Sequence, residues 1–161
     1  EALASTQASA FDLVVGMNAG TVLIGTKPRF AVSPHAGISW RTEGGFLLAL
    51  QDVFSVSPAT NAYGLGAYNH TSISVGYAWK SGQVGVGPSL AIYSMPACNG
   101  AWCSRLSGVS PGGHGQLDYY FAGPFGASAS VNVDWLAGST VLPAGVVATV
   151  LAGLLFRWSD K

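Results

Sequence analysis

From His70 to Trp79 the chain alternates with a period of two. His70, Ser72, Ser74, Gly76 and Ala78 are small or polar, while Thr71, Ile73, Val75, Tyr77 and Trp79 are mostly large and apolar. An extended strand sends successive side chains to opposite faces, so this segment reads as a strand with two unlike surfaces. After a turn at Lys80-Ser81-Gly82 the pattern returns. Val84, Val86, Pro88, Leu90 and Ile92 face one way, and Gln83, Gly85, Gly87, Ser89, Ala91 and Tyr93 the other. A third case sets Phe125, Ala127, Ala129, Val131, Val133 and Trp135 against Gly126, Ser128, Ser130, Asn132 and Asp134.

The same template gives weaker strands elsewhere, for eight in all: 11–25, 30–40, 45–56, 64–79, 82–94, 113–122, 124–136 and 144–158. Most are longer than the usual globular strand of about five or six residues, and long enough to cross a bilayer at a tilt, which takes about 9–11. Pro34 and Pro88 fall inside strands and lack the N–H that a ladder needs, so a bulge or strand end is expected at each. Thr42-Glu43-Gly44, Lys80-Ser81-Gly82 and Gly123-Pro124 make short turns. Residues 57–63, 95–112 and 137–143 make long loops, and only the first connection, Thr26 to Arg29, breaks the alternation. Short turns at one end and long loops at the other describe an all-β, up-and-down antiparallel transmembrane β-barrel with a periplasmic and an outer face.

Composition decides which face meets lipid. Only 9% of the 161 residues are charged and 49% are apolar, against about 25% charged in typical soluble domains. In a soluble barrel the large apolar groups point inward and charges coat the outside. Here the second face carries Gly, Ser, Ala, Asn, Gln and His, so the barrel is inside out. Helical spanning is poorly supported, because the longest apolar stretch, Val141 to Phe156, is broken by Pro143, Gly145, Thr149 and Gly153. Seven basic and seven acidic residues leave no net charge, and with it no electrostatic footprint for nucleic acid. Phe30, Trp40, Tyr77, Trp79, Phe121, Phe125, Trp135, Phe156 and Trp158 lie near strand ends, as interfacial girdles require. The expected organisation is a periplasmic segment over 1–10, a barrel over 11–158 with a long outer loop at 95–112, and a tail over 159–161. No charged and apolar leader precedes Phe11, so any secretion signal is expected to have been removed.

At the C-terminus, Gly153-Leu154-Leu155-Phe156-Arg157-Trp158 resembles the terminal-strand signal of bacterial outer-membrane β-barrels, in which a Gly is followed three and five residues later by aromatic groups. Leu151 stands where that family prefers a polar residue, and Ser159-Asp160-Lys161 follow the last aromatic. With the eight alternating segments, the chain resembles a small eight-stranded outer-membrane barrel of a Gram-negative bacterium. The resemblance implies location in the outer membrane, contact with its lipid, and recognition of Gly153, Phe156 and Trp158 by the barrel-assembly machinery. It does not imply one activity. Such barrels include anchors, adhesion or defence proteins, and lipid A palmitoyltransferases and deacylases.

Function must then come from the inward residues and the loops. His70 and Ser72 share one face at i and i+2, the minimum for acyl transfer by an activated Ser. Lipid A deacylases use a His and a Ser so spaced, but Asp52, Asp118 and Asp134 lie on other strands and spacing places none of them beside His70. The plainer reading is polar lumen packing. His35 and His114 are lumen or rim residues, with no ligands at metal spacing. No cofactor is expected. Gln51, Gln83, Gln116, Asp118, Asn132, Asp134 and Arg157 have inward parity and suit lumen hydrogen bonds or an ion pair. Gly16, Gly20, Gly37, Gly64, Gly66, Gly76, Gly85, Gly87, Gly126 and Gly153 leave either a void or space for water, an acyl chain or a peptide; the simpler reading is that they ease the curvature of a narrow barrel. Cys98 and Cys103 read as a disulfide closing the tip of the long loop in an oxidising compartment. Outward Ala19, Ala36, Ala67, Ala127, Ala129, Ala148 and Ala152 would let a neighbouring membrane protein approach closely. The leading expectation is a non-enzymatic anchor or interaction component, alone or within a larger envelope complex; a lipid A-modifying acyltransferase or deacylase with an acyl chain in its lumen, and a narrow passive pore, are the alternatives.

Overall fold

A computed structural model describes residues 10–24, 27–58, 66–99, 102–136 and 145–159. They form eight strands: β1 (Ala10–Ile24), β2 (Lys27–Arg41), β3 (Phe46–Ser57), β4 (Gly66–Trp79), β5 (Gly82–Asn99), β6 (Trp102–Ala122), β7 (Phe125–Leu136) and β8 (Gly145–Ser159). Each strand pairs antiparallel with its sequence neighbours, and β1 pairs with β8 to close the barrel. Closure is what a bilayer demands, since hydrocarbon offers nothing to an open strand edge.

The tight turns follow from local chemistry. Thr42 accepts from Gly45 N–H through its carbonyl and from Phe46 N–H through Oγ1, both within 3.1 Å. Gly45 takes φ +83°, and Gly123 takes φ +59° ahead of Pro124; other residues rarely adopt that region. These turns and the 80–81 turn lie at the end of the barrel that also holds Ala10 and Ser159.

The exterior is predominantly apolar. Phe30, Phe125, Trp135 and Trp158 are more than half exposed, as are Leu154 and Ile73. Phe125 and Trp135 lie ten residue steps apart on β7, about 25 Å along the barrel axis at the usual tilt, which is the height of an outer-membrane apolar band. Aromatic rings crowd the turn end, where Trp40 meets Phe46 edge-on at 6.2 Å and Phe125 meets Phe156 at 5.3 Å.

Three expectations change. Pro34 and Pro88 neither end their strands nor force a bulge. The β2–β3 ladder skips from Val32 to His35, and the β4–β5 ladder from Ser72 to Val75 opposite Pro88, while both strands continue; each proline costs its ladder only the bonds around the missing N–H. The register shift falls instead at Tyr120/Ala122. The expected long loop 95–112 is mostly strand: β5 runs on to Asn99 and β6 begins at Trp102, with only 100 and 101 between them. The sequence there carries no apolar alternation to mark it as strand. Residues 1–9 and 160–161, covering most of the expected N-terminal segment and tail, lie outside the described residues.

Candidate functional site

Inside the barrel, buried polar residues outnumber buried apolar ones, and they are stacked in layers. At the outer end Val22, Ala31, Tyr68, Ala91, Tyr93, Met95, Leu136 and Val147 form one apolar cluster, with the Tyr68 and Tyr93 rings stacked at 5.7 Å. At the turn end Val14, Tyr120 and Leu155 form a second. Arg157 lies 3.8 Å over the Tyr120 ring, and Arg41 Nε reaches Asp12 Oδ2 at 2.7 Å. Ser159 Oγ also bonds Asp12.

The polar middle contains the sequence-expected residues. Asp118 Oδ2 accepts from Gln83 at 2.8 Å and from Gln116 at 2.6 Å. His114 Nδ1 lies 2.7 Å from Asn132 Oδ1. Gln51 and His35 are buried among them. Strand parity placed all of these inward, but not against one another. Asp12 was not anticipated; it shares the inward parity of Val14 and Asn18 at the start of β1.

His70 gains the carboxylate that spacing could not supply. Its Nε2 lies 2.5 Å from Asp134 Oδ2, from a strand sixty-four residues away in sequence, and Ser89 Oγ reaches the other Asp134 oxygen at 3.4 Å. Tyr68 stacks on the imidazole at 4.9 Å. Ser72 Oγ and His70 Nδ1 have no hydrogen-bond partner among the described residues. A nucleophile needs a base within hydrogen-bond reach and a substrate beside it. Neither condition is met: Ser72 is not bonded to His70, and both are buried beneath the tyrosine layer.

Two lumen cavities among the described residues are too small for an acyl chain. Cavities of about 20 Å³, beside Val22, Tyr68 and Met95, and about 10 Å³, beside Gln51, Gln83 and Gln116, each suit roughly one water. Two of the glycines weighed as possible space, Gly16 and Gly153, are instead overlaid by neighbours, and Gly64 lies outside the described residues. A Cβ on Gly16 would sit 2.3 Å from the His35 ring, and one on Gly153 would meet Met17 O at 2.0 Å and Asn18 Oδ1 at 2.5 Å. They admit large polar side chains and close strand approach; they do not make a void.

The disulfide expectation gains no support: no disulfide occurs among the described residues, and the side chains of Cys98 and Cys103 lie outside them. The β5–β6 register sets the two positions opposite each other. On the lipid face, register aligns Ala19, Ala152 and Ala129 across β1, β8 and β7. A groove of about 380 Å³ at the turn end is lined by Phe11, Leu13, Ile38 and Trp158. One polar group on this face escaped the sequence reading. Asp52 has the parity of Leu48, Leu50 and Phe54 and is exposed, with Asn69 Nδ2 at 2.9 Å and Thr71 Oγ1 at 2.7 Å from its Oδ1.

A closed eight-stranded antiparallel barrel with an apolar outer wall and a packed polar interior is the fold of small bacterial outer-membrane β-barrels. Solved structures agree on the fold. Neisserial surface protein A is similar at 12% identity and TM-score 0.60, over 92% of this chain and 99% of that one. The Yersinia pestis outer membrane protein Ail, solved in a bilayer nanodisc, is 10% identical with TM-score 0.59, over 94% and 100%. The N-terminal barrel domain of Pseudomonas aeruginosa OprF is 17% identical with TM-score 0.51, over 93% and 97%. No protein-family model matches the chain, and no curated protein does.

Proposed function

We propose that the barrel is a non-enzymatic outer-membrane anchor whose working surface is the β5–β6 hairpin. The observation that carries this is the overhang. Beyond Ser94 no described residue of β4 pairs with β5, and β7 pairs with β6 only from Gly112 onward. Ser110 Oγ still bonds Trp135 O, and Met95 still belongs to the outer cluster. Among the described residues, Pro96–Asn99 paired with Trp102–Arg105 therefore run on beyond the strands beside them as a two-stranded ribbon. Arg105 Nε and Ser107 Oγ both donate to Ser94 Oγ, at 2.6 and 3.0 Å, and brace its base. An extended ribbon presents backbone edges and alternate side chains to a polypeptide, which is a familiar recognition mode. Ail has been crystallised with a heparin analogue. Here Lys27, Arg29 and Arg105 are the only basic residues at the outer end among the described residues, which favours a neutral polypeptide partner over a polyanion.

The test is photo-crosslinking in cells from position 102 at the outer end of β6 and, as control, from Glu43 in a turn. Extracellular or envelope proteins should crosslink to the tip alone, and the crosslinks should vanish when 97–104 are replaced by an Asn-Gly turn that keeps the barrel heat-modifiable on gels. Equal crosslinking from both ends would refute the proposal. The same reading includes Gly153, Phe156 and Trp158 as the signal presented to the barrel-assembly machinery.

A further inference from the structure

The Asp52 cluster is out of place on a wall that faces hydrocarbon. Its surroundings are apolar: Ala36 lies opposite Asp52 on β2, Leu90 opposite Thr71 and Ile92 opposite Asn69 on β5. A charge on the lipid face of a barrel destabilises it, least near the interfaces. Asn69 and Thr71 offset part of that cost, but both bind Oδ1. Oδ2 has no hydrogen bond among the described residues, and Arg29, Arg41 and Arg157 all turn toward the lumen, so none of these three supplies a counter-charge. Asn69 spends one amide hydrogen on Asp52 and keeps a second hydrogen and its carbonyl free.

Depth points to the occupant. Asn69 is paired with Phe54, and Asp52 is the next outward position below that ring. The cluster therefore lies about one outward step, roughly 5 Å along the axis, beneath the outer aromatic level. We infer that Asp52 and Asn69 form a binding site for the amide-linked hydroxyacyl chains of an outer-leaflet glycolipid. Such a lipid carries an amide and a hydroxyl just below its sugar headgroup. Asp52 Oδ2 accepts from the chain hydroxyl, and the free donor and acceptor of the Asn69 carboxamide match the lipid amide. A phospholipid has only ester carbonyls at that depth and cannot donate to Oδ2.

Native mass spectrometry of the purified barrel, from micelles doped equally with lipid A and phosphatidylethanolamine, tests this. Two hydrogen bonds of ordinary net worth correspond to roughly tenfold preferential retention of lipid A. Asp52→Leu with Asn69→Leu should abolish the preference while the barrel stays heat-modifiable; Thr71→Val, which leaves Oδ2 and the carboxamide in place, should keep most of it. Equal retention of the two lipids by the wild type, or a preference surviving the double substitution, overturns the inference. So would loss of a specific crosslinked membrane protein from Asp52→Leu cells with lipid A retention unchanged, which would assign the cluster to a protein contact.

Discussion

At the scale of residues, the His70–Asp134 pair is a lumen contact between strands far apart in sequence. Both side chains are almost wholly buried, and a buried pair costs most when one member is left alone. His70→Ala should destabilise the barrel by about 3–5 kcal/mol, read as a lower urea midpoint for vesicle-refolded protein. Joint replacement by His70→Leu and Asp134→Leu should recover most of that loss. Lipid A profiles of cells overproducing wild type and His70→Ala should be identical; a modification present only with the wild type would make the pair catalytic.

At the scale of elements, β8 closes the barrel and carries the terminal aromatics. Phe156 packs edge-on against Phe125 at 5.3 Å and against Trp158 at 6.5 Å, so these rings serve the folded wall as well as any signal. Each edge-to-face pair adds about 0.5–1.5 kcal/mol beyond area burial. Phe156→Ala with Trp158→Ala should therefore lower refolded stability modestly and assembled protein in cells severely. Matching losses in the two measurements would mean that the aromatics act through packing alone. The β5–β6 ribbon makes the opposite case: its strands are built by cross-strand pairing out to Asn99 and Trp102 with little patterned apolar surface.

At the scale of the whole molecule, three stacked fillings stand between the two mouths: the tyrosine-capped outer cluster, the polar middle, and the Val14–Tyr120–Leu155 layer with its arginines. Interiors of eight-stranded barrels are just wide enough for side chains to fill. Planar bilayer recording should show no conductance steps for the wild type. Tyr68→Ala with Tyr93→Ala should stay silent too, since it removes only one layer. Steps in the wild type would mean that the lumen opens and would revive the pore reading.

Much of this was legible in the chain because a period of two fixes side-chain direction without any tertiary information. Strand count, the lipid-facing wall and the inward parity of His35, Gln51, Gln83, Asp118, Asn132, Asp134 and Arg157 all follow from alternation and low charge. Asp52, which escaped that reading, shares the outward parity of Leu50 and Phe54, and its bonds to Asn69 and Thr71 depend on the β3–β4 register. What alternation cannot give is which inward residue meets which across the barrel. His70 found Asp134 only when closure brought β4 and β7 together, and Gly16 became the seat of the His35 ring only when β1 paired with β2. The sequence alone determined the faces, since pleating is local; tertiary structure decided the partners, because shear and closure set distances that no single strand contains.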